Sequence, residues 1–363
     1  MKLTANCKNF RKAIHFVDRI VAKNLSLPIL NNILLKTENG RLKIIATNLE
    51  IGITCVIGSK IEETGEITVP GKIISDFISA VSDESITLAT KNNILQINSK
   101  MFKTNILGSS TEEYPFIPKI KDNYICRIPV QMLRTVLAMT VDVVATSETR
   151  PELAGLYVSF MEDEIVFAAT DSFRLVEKKI KIKTQGKESV IIPRNTITEI
   201  LRISGDIDGD MEIRIKDNQI MFVHEDVEIV SRLIDGAYPD YKRVIPEKII
   251  TKTLVRKNDI EKTIRLTALF SSTISDIKLQ SKENTLTASA RNSDKGDSTA
   301  TVEAVIKDEP FDMSLNFNYF LDGLKIISSE KIIIEFTGEG SPLVLRPNDD
   351  RKDMLYLIMP LKN

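Results

Sequence analysis

The chain has 363 residues, 42% of them apolar and 27% charged, with 49 lysines and arginines against 50 aspartates and glutamates for a formal net charge of −1. That length exceeds what one hydrophobic core usually holds, and that balance of apolar and charged residues excludes a disordered chain. Two histidines, no tryptophan and three scattered cysteines (Cys7, Cys55, Cys126) argue against histidine-centred catalysis, stacking on unpaired bases, a disulfide framework or a zinc site.

The first predicted element is a helix over residues 6–23, capped by Asn6. Phe10, Ala13, Ile14, Val17 and Val21 fall on one face, while Lys8, Arg11, Lys12, His15, Arg19 and Lys23 fall on the other with almost no acid among them. Residues 33–48 follow, two alternating apolar stretches parted by Glu38, Asn39 and Gly40, the pattern of a β-hairpin. Val69-Pro70 then opens a short helix that carries Lys72, and Tyr114-Pro115 precedes a linker over 118–123. The same order returns. A helix over 130–144 carries Arg134, a hairpin occupies 156–171, Ile192-Pro193 opens a helix with Arg194 and Arg202, and Tyr238-Pro239 precedes a second linker over 246–251. A third pass has a helix over 258–271 exposing Lys262 and Arg265, a hairpin over 277–292, and Lys325 in a later helix.

The three hairpins start at offsets of 123 and 121 residues, and a third of 363 is 121. Three tandem domains are therefore predicted, over 1–120, 121–248 and 249–363, each with helices and antiparallel strands. No apolar run is long enough to cross a bilayer and the N-terminus lacks the apolar core of a signal peptide, so a cytoplasmic protein without membrane contact is expected.

One lysine on a helix is an ordinary solvated side chain. A like-charged set repeated at equivalent positions is a surface for a polyanion, and without aromatic partners it suits duplex phosphates better than unpaired bases. Nucleotide-loop, metalloprotease and hydrolase motifs are missing. The sharpest catalytic candidate, Asp171 with Ser172 and Arg174, lacks a histidine base or a second carboxylate at a defined spacing. Because the other hairpins end in Thr47-Asn48 and Arg291-Asn292, Asp171 is expected to serve a turn. No cofactor and no metal are expected.

The segments LPILNNILL (27–35), SETRPELAGL (147–156), ATDSFRL (169–175), AYPDYKRVIP (237–246) and YLIMPL (356–361) resemble, in order and spacing, the β sliding clamp of bacterial DNA polymerase III. The resemblance covers the whole chain. It implies an α+β fold of three clamp domains, each of two helices backed by eight antiparallel strands, closing as a head-to-tail homodimer into a six-domain ring around double-stranded DNA. It implies a processivity factor, not an enzyme, with the polymerase III catalytic subunit, the clamp loader, and other polymerases and repair proteins as clients.

Carried over position by position, the family's groove for linear peptides falls here on Leu153, Thr170, Ser172, Arg174, Leu175, Pro239, Arg243, Val244, Pro342, Leu357, Met359, Pro360 and Leu361. The DNA-facing set is Lys8, Arg11, Lys12, Arg19, Lys23, Lys72, Arg134, Arg194, Arg202, Lys262 and Arg265, and ring closure would bring Leu269 and Phe270 against Ile106 of a second copy. Two departures stand out: Ser172-Phe173 where many members have Gly-His, and Asn24 where many have arginine. Two other readings compete, a monomeric repeat scaffold that binds peptides without DNA, and a hydrolase using Asp171.

Overall fold

A computed structural model describes residues 1–21, 26–121, 124–147, 149–349 and 351–361. Each predicted hairpin forms, as Asn32–Glu38 with Arg41–Thr47, Gly155–Phe160 with Ile165–Thr170, and Asp276–Lys282 with Thr285–Asn292. The first turns at Asn39 and Gly40, whose positive φ values of 52° and 73° are the left-handed pair that a tight hairpin requires. Among the described residues there are 24 strands and six α-helices, eight strands and two helices to each repeat.

The helices are α1 (Cys7–Asp18), α2 (Gly71–Ala80), α3 (Val130–Thr140), α4 (Arg194–Ile203), α5 (Lys257–Ala268) and α6 (Phe317–Ile326). The Asn6 side chain caps α1 by accepting from the Asn9 backbone N–H at 3.1 Å. The helices are shorter than the apolar periodicity suggests, α1 ending at Asp18 and α3 at Thr140. The buried face of α1 is also wider than predicted and includes Phe16 beside Phe10, Ala13, Ile14 and Val17. That face packs on α2 and on the strands Arg41–Thr47 and Ile51–Glu63.

Two compact units emerge, and the second repeat is divided between them. The first unit, 1–131 with 202–233, holds one sheet of twelve strands. Its long strand Ile51–Glu63 pairs with Lys2–Asn6 at one end and with Val227–Arg232 at the other, so the first repeat's sheet runs on into half of the second. The second unit, 132–201 with 234–363, repeats the device: Arg174–Ile180 of the second repeat pairs with Met354–Ile358 of the third, Leu175 opposite Leu357. Every one of these pairings is antiparallel.

In the second unit α6 lies close on this sheet. A Cβ on Gly323 would come within 2.5 Å of the Tyr356 ring, so glycine is required for α6 to approach the last strand. The three cysteines are free and buried. Burial pushes the thiols of Cys55 and Cys126 up to about 12, the environment of small apolar core residues. No helix among the described residues is long and apolar enough to cross a membrane.

Candidate peptide groove and DNA-facing surface

The hairpin ends carry a repeated turn. Asp171 Oδ1 accepts the backbone N–H groups of Phe173 and Arg174, both at 3.0 Å, and Asn48 Oδ1 accepts those of Glu50 and Ile51 at 3.0 and 2.7 Å. Thr170 Oγ1 donates to the Arg174 carbonyl at 2.7 Å and Thr47 Oγ1 to the Ile51 carbonyl at 3.0 Å. Asp171 is therefore the turn residue that its place after the strand predicts, and no group of three or more potential metal ligands occurs among the described residues. The residue after each Asx, Leu49 or Ser172, sits in the left-handed region at φ 76° and 79°. Glycine would adopt that conformation without strain.

In the second unit this turn borders an apolar cluster. Ala168, Leu175, Tyr241, Val344, Leu355 and Leu357 are buried together, and Tyr157, Tyr238, Ile245 and Met359 pack against them. The rings of Tyr157 and Tyr238 stack at 5.0 Å, with Tyr241 edge-on at 6.0 and 6.3 Å. Burial raises the Tyr238 and Tyr241 phenols above the ordinary tyrosine range, and the Glu177 carboxylate adds to the rise at Tyr241.

The carried-over groove residues separate into three sets. Leu153, Leu175 and Leu357 are buried to 3% exposure or less, so they form a floor rather than a contact surface. Thr170, Arg174, Pro342, Met359, Pro360 and Leu361 are half-buried, while Ser172, Pro239, Arg243 and Val244 are exposed. Backbone bonds place several of them: Met359 N–H donates to the Phe173 carbonyl at 2.8 Å and Leu361 N–H to the Ser314 carbonyl at 2.9 Å.

The two arginines of the carried-over set differ in their surroundings. Arg243 is exposed and forms a 2.9 Å ion pair with Asp240. Arg174 is held inside. Its Nε donates to Asp171 at 3.0 Å and its Nη2 to the Asp142 carbonyl at 2.6 Å, and its Nη1 pairs with Asp322. Sequence reading missed Asp322 because it is 148 residues from Arg174, with no local pattern to join them. It also missed Tyr241, whose only signal was its place three residues after Tyr238.

The basic set needs a similar correction. Lys8, Lys12, Arg19, Lys72, Arg134, Lys262 and Arg265 are exposed, Arg265 in an i,i+4 pair with Glu261 at 2.8 Å and Lys12 donating to the Asp206 carbonyl at 2.6 Å. Lys23 lies outside the described residues, as does Asn24. Three arginines are committed to carbonyls instead: Arg11 to Ile78 (3.0 Å) and Val81, Arg194 to Val144 (2.7 Å), and Arg202 to His15 and Phe16 (2.6 and 2.7 Å). Arg11 thus closes the C-terminal end of α2 and Arg202 that of α1, where orphan carbonyls and the helix dipole favour a cation. Ile106, assigned to the dimer contact, is 3% exposed because its position in Lys103–Leu107 points inward, whereas its neighbour Leu107 is 74% exposed.

Comparison with known proteins gives one answer along the chain. Residues 1–118, 127–240 and 242–362 match the N-terminal, central and C-terminal domain models of the DNA polymerase III beta subunit. The beta sliding clamp of Staphylococcus epidermidis is 27% identical over 375 aligned positions, covering 100% of this chain and 99% of the relative. The sliding clamp of Bacillus subtilis superposes with a TM-score of 0.96 at 26% identity, covering 100% of this chain and 99% of that one. A clamp from Bartonella birtlesii, solved bound to griselimycin, superposes at 0.92 with 28% identity and complete coverage of both. With all three domain models matched in order, the chain belongs to the DNA polymerase III beta subunit family, the sliding clamps, which are processivity factors rather than catalysts.

Proposed function

We propose that two copies of this chain close head-to-tail into a six-domain ring that encircles duplex DNA and tethers the replicative polymerase during synthesis in the cytoplasm. The observation that carries this reading is the repeated junction, in which a strand of one repeat extends the sheet of the next at both internal boundaries. A chain that joins its repeats edge to edge has one further edge to satisfy at each end, and a second copy satisfies both. The exposed apolar residues suit such closure: Ile73, Phe102 and Leu107 in the first repeat, and Leu269 in the third beside half-buried Phe270. With Ile106 turned inward, these take its place in the contact.

DNA would be held without sequence preference by Lys8, Lys12, Arg19, Lys72, Arg134, Lys262 and Arg265, as contact with phosphates alone requires. Clients, among them the polymerase III catalytic subunit, the clamp loader and repair proteins, would insert an apolar anchor over the Leu175 and Leu357 floor. Arg243 and the exposed edges of Ser172, Pro239, Val244, Met359 and Pro360 would form the rim. The Bartonella birtlesii clamp bound to griselimycin supports a ligand site in the family.

A monomeric peptide scaffold is the competing reading, favoured by the three arginines that spend their donors on carbonyls. Sedimentation equilibrium at low micromolar concentration separates the two. A ring requires twice the chain mass of 40.8 kDa, and a stable monomer would overturn it.

A further inference from the structure

Arg174 is the point at which the second repeat's turn meets α6. The Tyr319 ring lies 4.7 Å from its guanidinium carbon, and the same ring stacks on Phe173 at 6.3 Å and 20°. Tyr319 and Asp322 are i and i+3 on α6, one face of the helix, so α6 presents a ring and a carboxylate to the guanidinium together. The Arg174 side chain is 11% exposed, Asp171 18% and Asp322 40%, so a cation nearly out of water is shared between a sheltered acid on its own turn and a more exposed acid on α6.

The turn depends on that cation in its own right. Asp171 holds the backbone N–H groups of Phe173 and Arg174 with one carboxylate oxygen and the guanidinium with the other. The Phe173 carbonyl in turn receives Met359 N–H. Any swing of Arg174 therefore moves Ser172, Phe173 and Met359 together. Lys325 and Arg194 do not offer Asp322 a substitute partner, since both are drawn to Asp142, at 3.3 and 4.0 Å.

We infer that Asp322 is a positioning residue of the peptide groove: its carboxylate fixes Arg174, and Arg174 fixes the Ser172–Met359 wall on which client affinity depends. This rests on the groove reading above. Arg174 then acts mainly as a brace, with most of its donors already spent within the chain.

The test titrates two probes, griselimycin and a fluorescent peptide from the cognate polymerase III catalytic subunit, against the intact dimer and its D322A, D322N, D322E, R174A and R174A/D322A variants. D322A and D322N should weaken both probes about fivefold to tenfold, D322E should recover to within about twofold, and R174A/D322A should bind no worse than R174A. Unchanged affinity in both D322A and D322N overturns the inference, as do losses that multiply in the double variant. If the unsubstituted protein binds neither probe, the groove reading falls and the inference with it; if it binds both and D322A and D322N both match it, the inference alone falls.

Discussion

The Tyr241 hydroxyl donates a 2.7 Å hydrogen bond to the Glu177 carboxylate, in a place where both side chains are buried. Tyr241 comes from the segment that follows the second repeat's strands and Glu177 from the strand that meets the third repeat, so one bond joins a ring of the apolar cluster to that strand. Removing the hydroxyl strands a buried carboxylate, whose remaining neighbour is Lys179 at 3.7 Å. Tyr241→Phe should therefore lower unfolding free energy by about 1–3 kcal/mol, read as an earlier denaturant midpoint with an unchanged slope.

Floor and rim should separate under mutation. Leu175 and Leu357 are 1% exposed, and truncating either to alanine should cost about 2–5 kcal/mol of stability through the cavity left behind. Arg243→Ala should leave the denaturation curve where it is and weaken client peptide by about 1 kcal/mol or more, read by fluorescence anisotropy. A stability loss in Arg243→Ala would place that side chain in the core instead.

The left-handed turn gives a prediction of opposite sign. Ser172→Gly removes the strain of φ 79° and should raise stability by about 0.5 kcal/mol, despite the greater freedom it gives the unfolded chain. Asp171→Ala undoes two backbone bonds and the Arg174 pair together and should cost about 2 kcal/mol or more. Parallel chemical denaturation of the two variants checks both.

The sequence carried the repeat, the hairpins, the helices and the role of Asp171, because each rests on periodicity or on a residue acting within a few positions of itself. It did not carry the fates of Arg11, Arg174, Arg194 and Arg202. An arginine's stem reaches carbonyls and carboxylates far along the chain, from Arg174 to Asp322 or from Arg202 to His15, and charge alone does not distinguish a solvated cation from one that closes a helix end. The burial of Ile106 was not legible for a simpler reason: alternation sends adjacent strand residues to opposite faces, and two neighbouring apolar residues do not show which of them faces the core.

That distinction predicts two classes of basic-residue variant. Lys8→Glu with Arg19→Glu should weaken the hold on DNA, with a shallower salt dependence, and leave thermal stability near its starting value. Arg11→Glu should destabilise the fold, because it removes two bonds to the end of α2 and sets an acid against carbonyl oxygens.

Thiol chemistry probes the core independently. With thiol pKa values pushed to about 12, Cys55 and Cys126 hold only about one part in 10⁴ as thiolate at pH 8, and both are buried. The folded protein should give almost no reaction with Ellman's reagent over minutes, and all three cysteines should react in guanidinium.

The most direct test of a ring is topological. Protein incubated with its clamp loader, ATP and nicked circular DNA is passed over a sizing column, and the DNA-bound fraction is then cut once with a restriction enzyme. The ring account predicts that the protein stays with the circle and runs off once the circle is linear. Failure to stay on the circle, or retention that survives linearisation, would contradict it.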